Sequence, residues 1–252
     1  MTFTGAVEIL ARRERVTVLI ALLLVIIISI VFMLRSGDAL MMMMPMQVSA
    51  EWIVLLFVMW WTMMLAMMLP SAAPAILTFG AISRRLDGRD ASARMLAFAA
   101  GYALVWTGFS LAAVLFQMAT DHTLRLNPMF ATTSRIAGGI LLIAAGLYQL
   151  TPLKEACLRK CQLPLLVFAR DWRPGLRGAL RMGFSHGLYC VGCCAMLMVV
   201  LFYGGVMEPK WIAGLAIYVL IEKLMPRQWY VSRFAGIVLC LWGGVILWIA
   251  FR

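Results

Sequence analysis

Acidic residues and imidazoles are scarce in this chain: 11 aspartates and glutamates and two histidines serve 252 residues. No glycine-rich phosphate loop occurs, which argues against an ATP-driven pump housed in this chain. No pair of carboxylates falls within an apolar segment, which speaks against a proton-coupled enzyme. Nor is there a polar stretch long enough for a separate soluble domain. What fills the chain instead is hydrocarbon: 64% of residues are hydrophobic, 13% are charged, and the mean hydropathy is +0.94. A soluble domain of this size does not have that composition, whereas a polytopic helical membrane bundle does. The expectation is one all-α integral membrane domain covering residues 1–252, with no enzymatic activity.

Seven apolar segments can be marked, at about 16–34, 52–79, 95–119, 134–150, 182–207, 211–224 and 229–251. The sixth is short for a span of about 20 residues, so six transmembrane helices is the alternative to seven. The first follows Arg12, Arg13 and Arg15 and lacks a small-residue cleavage site, so it reads as an uncleaved span. With the N-terminus inside, 17 lysines and arginines fall on the cytoplasmic side. These are the three above, Arg84, Arg85, Arg89 and Arg94, seven between Lys154 and Arg181, then Lys223, Arg227 and Arg233. The opposite side holds five: Arg35, Arg125, Arg135, Lys210 and Arg252. The net charge of +11 is thus explained by the positive-inside rule rather than by a nucleic-acid partner. On this reading 151–181 is a basic cytoplasmic loop, and Glu222 beside Lys223 is a snorkelling pair at the interface.

Coordinating groups inside a span are costly and point to function. His186, Cys190, Cys193 and Cys194 all sit in one apolar segment. At about 100° per residue the first three lie within roughly 60° of one another, with Cys194 on the flank. Thiolates select soft ions, and a metal offsets the cost of burying them. With His186 as a fourth ligand the set suits zinc; with thioethers it suits Cu(I). The rival reading is a membrane thiol–disulfide carrier using the Cys190/Cys193 pair. Three inert small residues packing against neighbours, within a structural subunit of a larger membrane complex, is the third.

Half of the 20 methionines fall between positions 41 and 68. Met41, Met42, Met43, Met44 and Met46 lie in the first outer loop, and Met59, Met63, Met64, Met67 and Met68 in the second span. Thioether sulfur is soft and survives an oxidising compartment, so an outer cluster leading to a lined span fits a Cu(I) entry path. Methionine also fills gaps in helix packing, which serves equally for the span. At about 1.5 Å per residue, Met63 and Met64 lie roughly 17 Å below the outer surface and Cys190 roughly 13 Å above the inner one. The second and fifth spans are therefore expected to supply one site, with Met63, Met64, Met67 and Met68 as the wall opposite the cysteines. Pro70 and Pro74 can kink the second span.

The remaining sulfurs are weaker signals. Cys157 and Cys161 stand four apart among Lys154, Arg159 and Lys160, as a metal-exchanging pair or as an ordinary surface turn. Cys240 is expected to pack in the last span, and His122 to be solvated. Glycines in the spans suit close helix packing. Arg135-Ile-Ala-Gly-Gly and Arg233-Phe-Ala-Gly-Ile are alike and would run in opposite directions, as in an inverted repeat.

Several motifs occur together: Met63-Met64-Leu65-Ala66-Met67-Met68-Leu69-Pro70-Ser71-Ala72-Ala73-Pro74, Gly101-Tyr102 with Val105-Trp106-Thr107-Gly108, and Tyr148-Gln149-Leu150-Thr151-Pro152-Leu153-Lys154. The stretch from His186 to Cys194 and Glu222-Lys223-Leu224 follow in order. Over about residues 15–250 the chain resembles the bacterial family of predicted metal-binding integral membrane proteins, a domain of unknown function. The resemblance implies a bacterial inner (plasma) membrane location and a metal site. From the residues, the partners expected are Cu(I) or another soft transition metal, the lipid bilayer, and a periplasmic metal-binding protein or other membrane subunits.

Overall fold

The computed structural model describes residues 50–87, 91–124, 132, 134–225 and 228–252, with Ile20, Leu23, Leu24, Ile27, Val31 and Arg35 before them. Apart from those named, the span expected at 16–34 and the outer methionines Met41, Met42, Met43, Met44 and Met46 lie outside the described residues. From residue 50 onward the described chain is helical: α1 (Ala50–Asp87), α2 (Ala91–Leu124), α3 (Arg135–Gln149), α4 (Pro152–Gln162), α5 (Pro164–Arg170), α6 (Gly175–Val199), α7 (Leu201–Gly204), α8 (Pro209–Leu224) and α9 (Gln228–Ala250). An apolar, nearly all-round hydrophobic composition makes helix the only way to satisfy the backbone away from water.

Four helices are long and apolar enough to cross a membrane: Ala50–Leu86, Ala91–Ala119, Gly175–Gly204 and Tyr230–Ala250. A fifth is reached if α3 and α4, bent by 63° at their junction, count as one broken span. The count of seven is therefore not reproduced among the described residues. Two local causes are visible. The segment expected at 211–224 is α8, a helix of 16 residues, short of the roughly 20 that hydrocarbon demands. The segment expected at 134–150 is α3, 15 residues, and it breaks because Thr151 precedes Pro152. A residue before proline is driven from helical to extended backbone, and Thr151 sits at φ −77°, ψ 146°. Its hydroxyl then caps α4 by accepting from the Lys154 backbone N–H.

The 151–181 stretch is not the solvated loop that its charges imply. Lys154, Leu158 and Cys161 are spaced as one helical face, and all three are buried. They turn α4 onto α6, so the basic segment becomes part of the packed body.

Glycine sets two of the main contacts. A side chain on Gly101 would collide with the Leu180 carbonyl, and one on Gly183 with the Phe98 carbonyl. Those two absences let α2 and α6 pack backbone to backbone. Likewise α3 and α9 meet with Gly139 against Gly243 and Gly146 against Gly236. The pairing is antiparallel, so the two similar Arg–x–Ala–Gly segments do run in opposite directions, at opposite ends of the contact. The largest buried side chains, including Trp60, Trp106, Tyr102, Phe79 and Phe98, lie on α1 and α2. Exposed apolar side chains such as Phe234, Ile237, Leu241 and Trp248 cover the outer face of α9, the kind of surface that lipid covers.

Candidate metal centre

Helix α6 carries Cys190, Cys193 and Cys194 in its middle, at i, i+3 and i+4, so one turn presents all three sulfurs to the interior. Their sulfur atoms lie within 4.8 Å of one another, and each residue is at most 1% exposed. Cys193 donates to the Cys190 carbonyl at 3.1 Å and its sulfur stands 3.3 Å from that of Cys194. All are free thiols. They can close on a single soft ion without rearranging the helix.

Two groups from other helices reach this cluster. The Tyr102 hydroxyl of α2 lies 3.1 Å from Cys190 Sγ and donates to the Met68 carbonyl of α1 at 3.2 Å. From the end of α8, Lys223 Nζ donates to Cys190 Sγ at 2.9 Å and to Ser71 Oγ at 2.9 Å. Ser71 in turn donates to the Met68 carbonyl at 2.8 Å. The phenol of α2 and the ammonium of α8 thus contact one sulfur of α6, and the Met68 carbonyl and Ser71 hydroxyl of α1 hold those two groups in turn. Glu222–Lys223 is not an interfacial snorkelling pair: Lys223 is buried against the thiols and Glu222 is 0% exposed.

Consecutive residues on a helix diverge by about 100°, and Glu222 accordingly faces a second polar group. Its Oε1 accepts from Lys154 Nζ at 2.6 Å, Tyr218 Oη at 3.0 Å and Ser232 Oγ at 2.6 Å. Lys154 also donates to Gln149 Oε1, and Gln162 Nε2 donates to the Glu222 carbonyl at 2.7 Å. This buried ion pair closes α4, α8 and α9 together behind the thiol cluster. The pairing offsets what would be a severe cost for either charge alone.

Met63, Met64, Met67 and Met68 are buried in the same apolar core as Cys190, Cys193 and Cys194. The α1 residues tied to Cys190 by hydrogen bonds are Met68 and Ser71, one to two turns beyond Met63 and Met64. His186 lies one turn before Cys190, buried, with its ring 5.8 Å from that of Phe98, 6.0 Å from Tyr102 and 6.4 Å from Phe168. It does not join the three sulfurs in one ligand-sized set, and its Nδ1 has no hydrogen-bond partner. It does line a cleft of about 170 Å³ with Asp171, Arg173, Arg181, Met182 and Tyr189.

Beyond these, Cys161 of α4 is buried in the same apolar core as Cys193. Cys157 packs onto the bare Cα of Gly192, where a Cβ would fall 2.7 Å from its sulfur. The Tyr148 hydroxyl donates to the Gly192 carbonyl from the α3 side. Cys240 packs in the α3–α9 contact against Gly146. Sequence reasoning on side-chain chemistry missed Tyr102, Ser71, Lys154, Glu222 and Lys223 as neighbours of the site. The signal was present in the shared motifs, since every one of these residues lies in a segment that carries the family resemblance.

An all-helical body with membrane-spanning lengths of apolar helix, closed around buried thiols, defines a helical metal-handling protein compatible with a membrane location. A family model described as PpoB2, copper chaperone, matches residues 57–246. That range includes every site residue above, and the chain belongs to this family. No curated protein and no solved structure matches it.

Proposed function

We propose that this chain carries Cu(I) on Cys190, Cys193 and Cys194 inside a bundle of the bacterial inner membrane, passing it between faces or holding it for a partner. The observation that carries the reading is the three sulfur atoms within 4.8 Å of one another in an enclosed interior. Thiolate and thioether donors select Cu(I) among the ions a cell offers. A tetrahedral zinc site needs a fourth ligand, and His186 stands outside the sulfur set, so the softer, lower-coordinate ion is favoured. Membership of a copper-chaperone family supports the same choice.

The surroundings fit a site that is filled and emptied. A buried anionic sulfur needs a positive neighbour. Lys223 supplies one in the empty protein, and the ion supplies one in the loaded protein. Along α1, Met59, Met63, Met64, Met67 and Met68 form a buried thioether column about 13 Å long at 1.5 Å per residue. In the sequence, its Met59 end is the one nearer to Met41, Met42, Met43, Met44 and Met46, which would collect the ion outside. With the N-terminus cytoplasmic, the arginine-lined cleft beside His186 faces the cytoplasm.

The test is elemental analysis of the purified protein after anaerobic loading, beside Cys190→Ser/Cys193→Ser. One copper per wild-type chain and none in the variant is expected. Equal copper in both ends the proposal. A thiol–disulfide carrier, by contrast, would show Cys190 and Cys193 alkylated only after reduction, with copper bound by neither form.

A further inference from the structure

The thiols of α4 are not absorbed by the three-sulfur site, yet they touch it. Cys161 is buried in the same apolar core as Cys193. Four residues earlier on the same face, Cys157 is half-buried and lies against Gly192, the neighbour of Cys193. Gly192 leaves the space that the Cys157 sulfur fills; any larger residue there would push α4 away. The Thr151 cap and the Lys154–Glu222 ion pair fix the other end of α4, so these two sulfurs are held, not free to wander. Lys160, on the same helix, sits over the Tyr189 ring at 4.3 Å and anchors its last turn to α6. Five sulfurs therefore lie along the packed contact of α4 with α6, from the fully buried Cys190 to the half-buried Cys157.

We propose that Cys161 and Cys157 form the transfer branch of the centre, through which Cu(I) leaves the Cys190/Cys193/Cys194 set. The inference rests on the Cu(I) reading. The step is ligand exchange at constant oxidation state. A bond from the ion to Cys161 Sγ forms while the bond to Cys190 Sγ breaks, Cys193 staying bound throughout. The proton that Cys161 gives up goes to Cys190, so charge and protons balance without an oxidant. A second exchange of the same kind moves the ion to Cys157, where an acceptor thiol or chelator can meet it.

The experiment loads full-length protein in lipid nanodiscs with Cu(I) and follows removal by bathocuproine disulfonate. Cys161→Ser should keep wild-type copper stoichiometry and release the ion about tenfold more slowly. Cys157→Ser, at a half-buried position that tolerates the change, should slow release likewise, while Cys240→Ser should not. Release from both α4 variants at the wild-type rate overturns the transfer branch and leaves the three-thiol site standing. Loss of copper from Cys161→Ser, with Cys157→Ser releasing at the wild-type rate, also overturns it, because Cys161 is then a ligand. Absence of copper from the wild type itself strikes the underlying reading instead.

Discussion

Lys223 and Lys154 are both buried amines, and each is held by what faces it: sulfur and hydroxyl for the first, carboxylate and amide for the second. Removing one partner of a buried ion pair costs about 3–5 kcal/mol because the other charge is left uncompensated. Lys154→Met is accordingly expected to lower the unfolding temperature in detergent sharply, and the double variant Lys154→Met/Glu222→Leu to recover much of the loss. Lys223→Met takes away the donor that Cys190 and Ser71 share. Its expected effect is on copper retention, weakened about tenfold or ~1.4 kcal/mol in a chelator competition, with Lys223→Arg intermediate. The three cysteines of the candidate site could be picked out in the sequence because soft donors in an apolar segment are conspicuous. The two lysines could not. Whether a charge is buried depends on partners distant in the chain, and Lys154 and Glu222 are 68 residues apart.

Among the elements, α3 and α4 show how much a dipeptide decides. Thr151-Pro152 ends one helix and starts the next, and the apolar run before it was legible for that reason. The direction taken afterwards was not legible, because α4 buries only Lys154, Leu158 and Cys161 against a mostly polar remainder. A face that narrow is indistinguishable in sequence from a basic loop. The glycine pattern carried more information: it announced close packing, and α3 against α9 delivers it. Gly243→Leu would drive a side chain into the Gly139 carbonyl and Ile143. Overpacking of this kind costs about 1–3 kcal/mol. The expected readout is a lower unfolding temperature with copper stoichiometry unchanged, since Gly243 packs on Gly139 and Ile143 rather than on Cys190, Cys193 or Cys194. A parallel change at Gly183, which faces Phe98 across α2, should abolish copper binding as well, because α2 brings Tyr102 to Cys190.

At the scale of the whole molecule, charge and apolarity are partitioned as a bilayer would require, and the sidedness proposed from the arginines can be measured. Reporter fusions after residue 173 should be active in the cytoplasm, and fusions after residue 252 outside it; the reverse pattern would overturn the orientation. The number of crossings follows from the same series, because α8 and the bent α3–α4 unit leave different signatures. One turn of α8 joins everything described above. Glu222 is committed to the ion pair that fastens α4 and α9, and the very next side chain holds the Cys190 sulfur. Inserting one residue between them would swing the amine a quarter-turn or more away from its target while leaving the carboxylate docked. Correct assembly of the outer helices is therefore a precondition for a usable centre, and a chain caught half-built would carry its cysteines without the counter-charge that tames them.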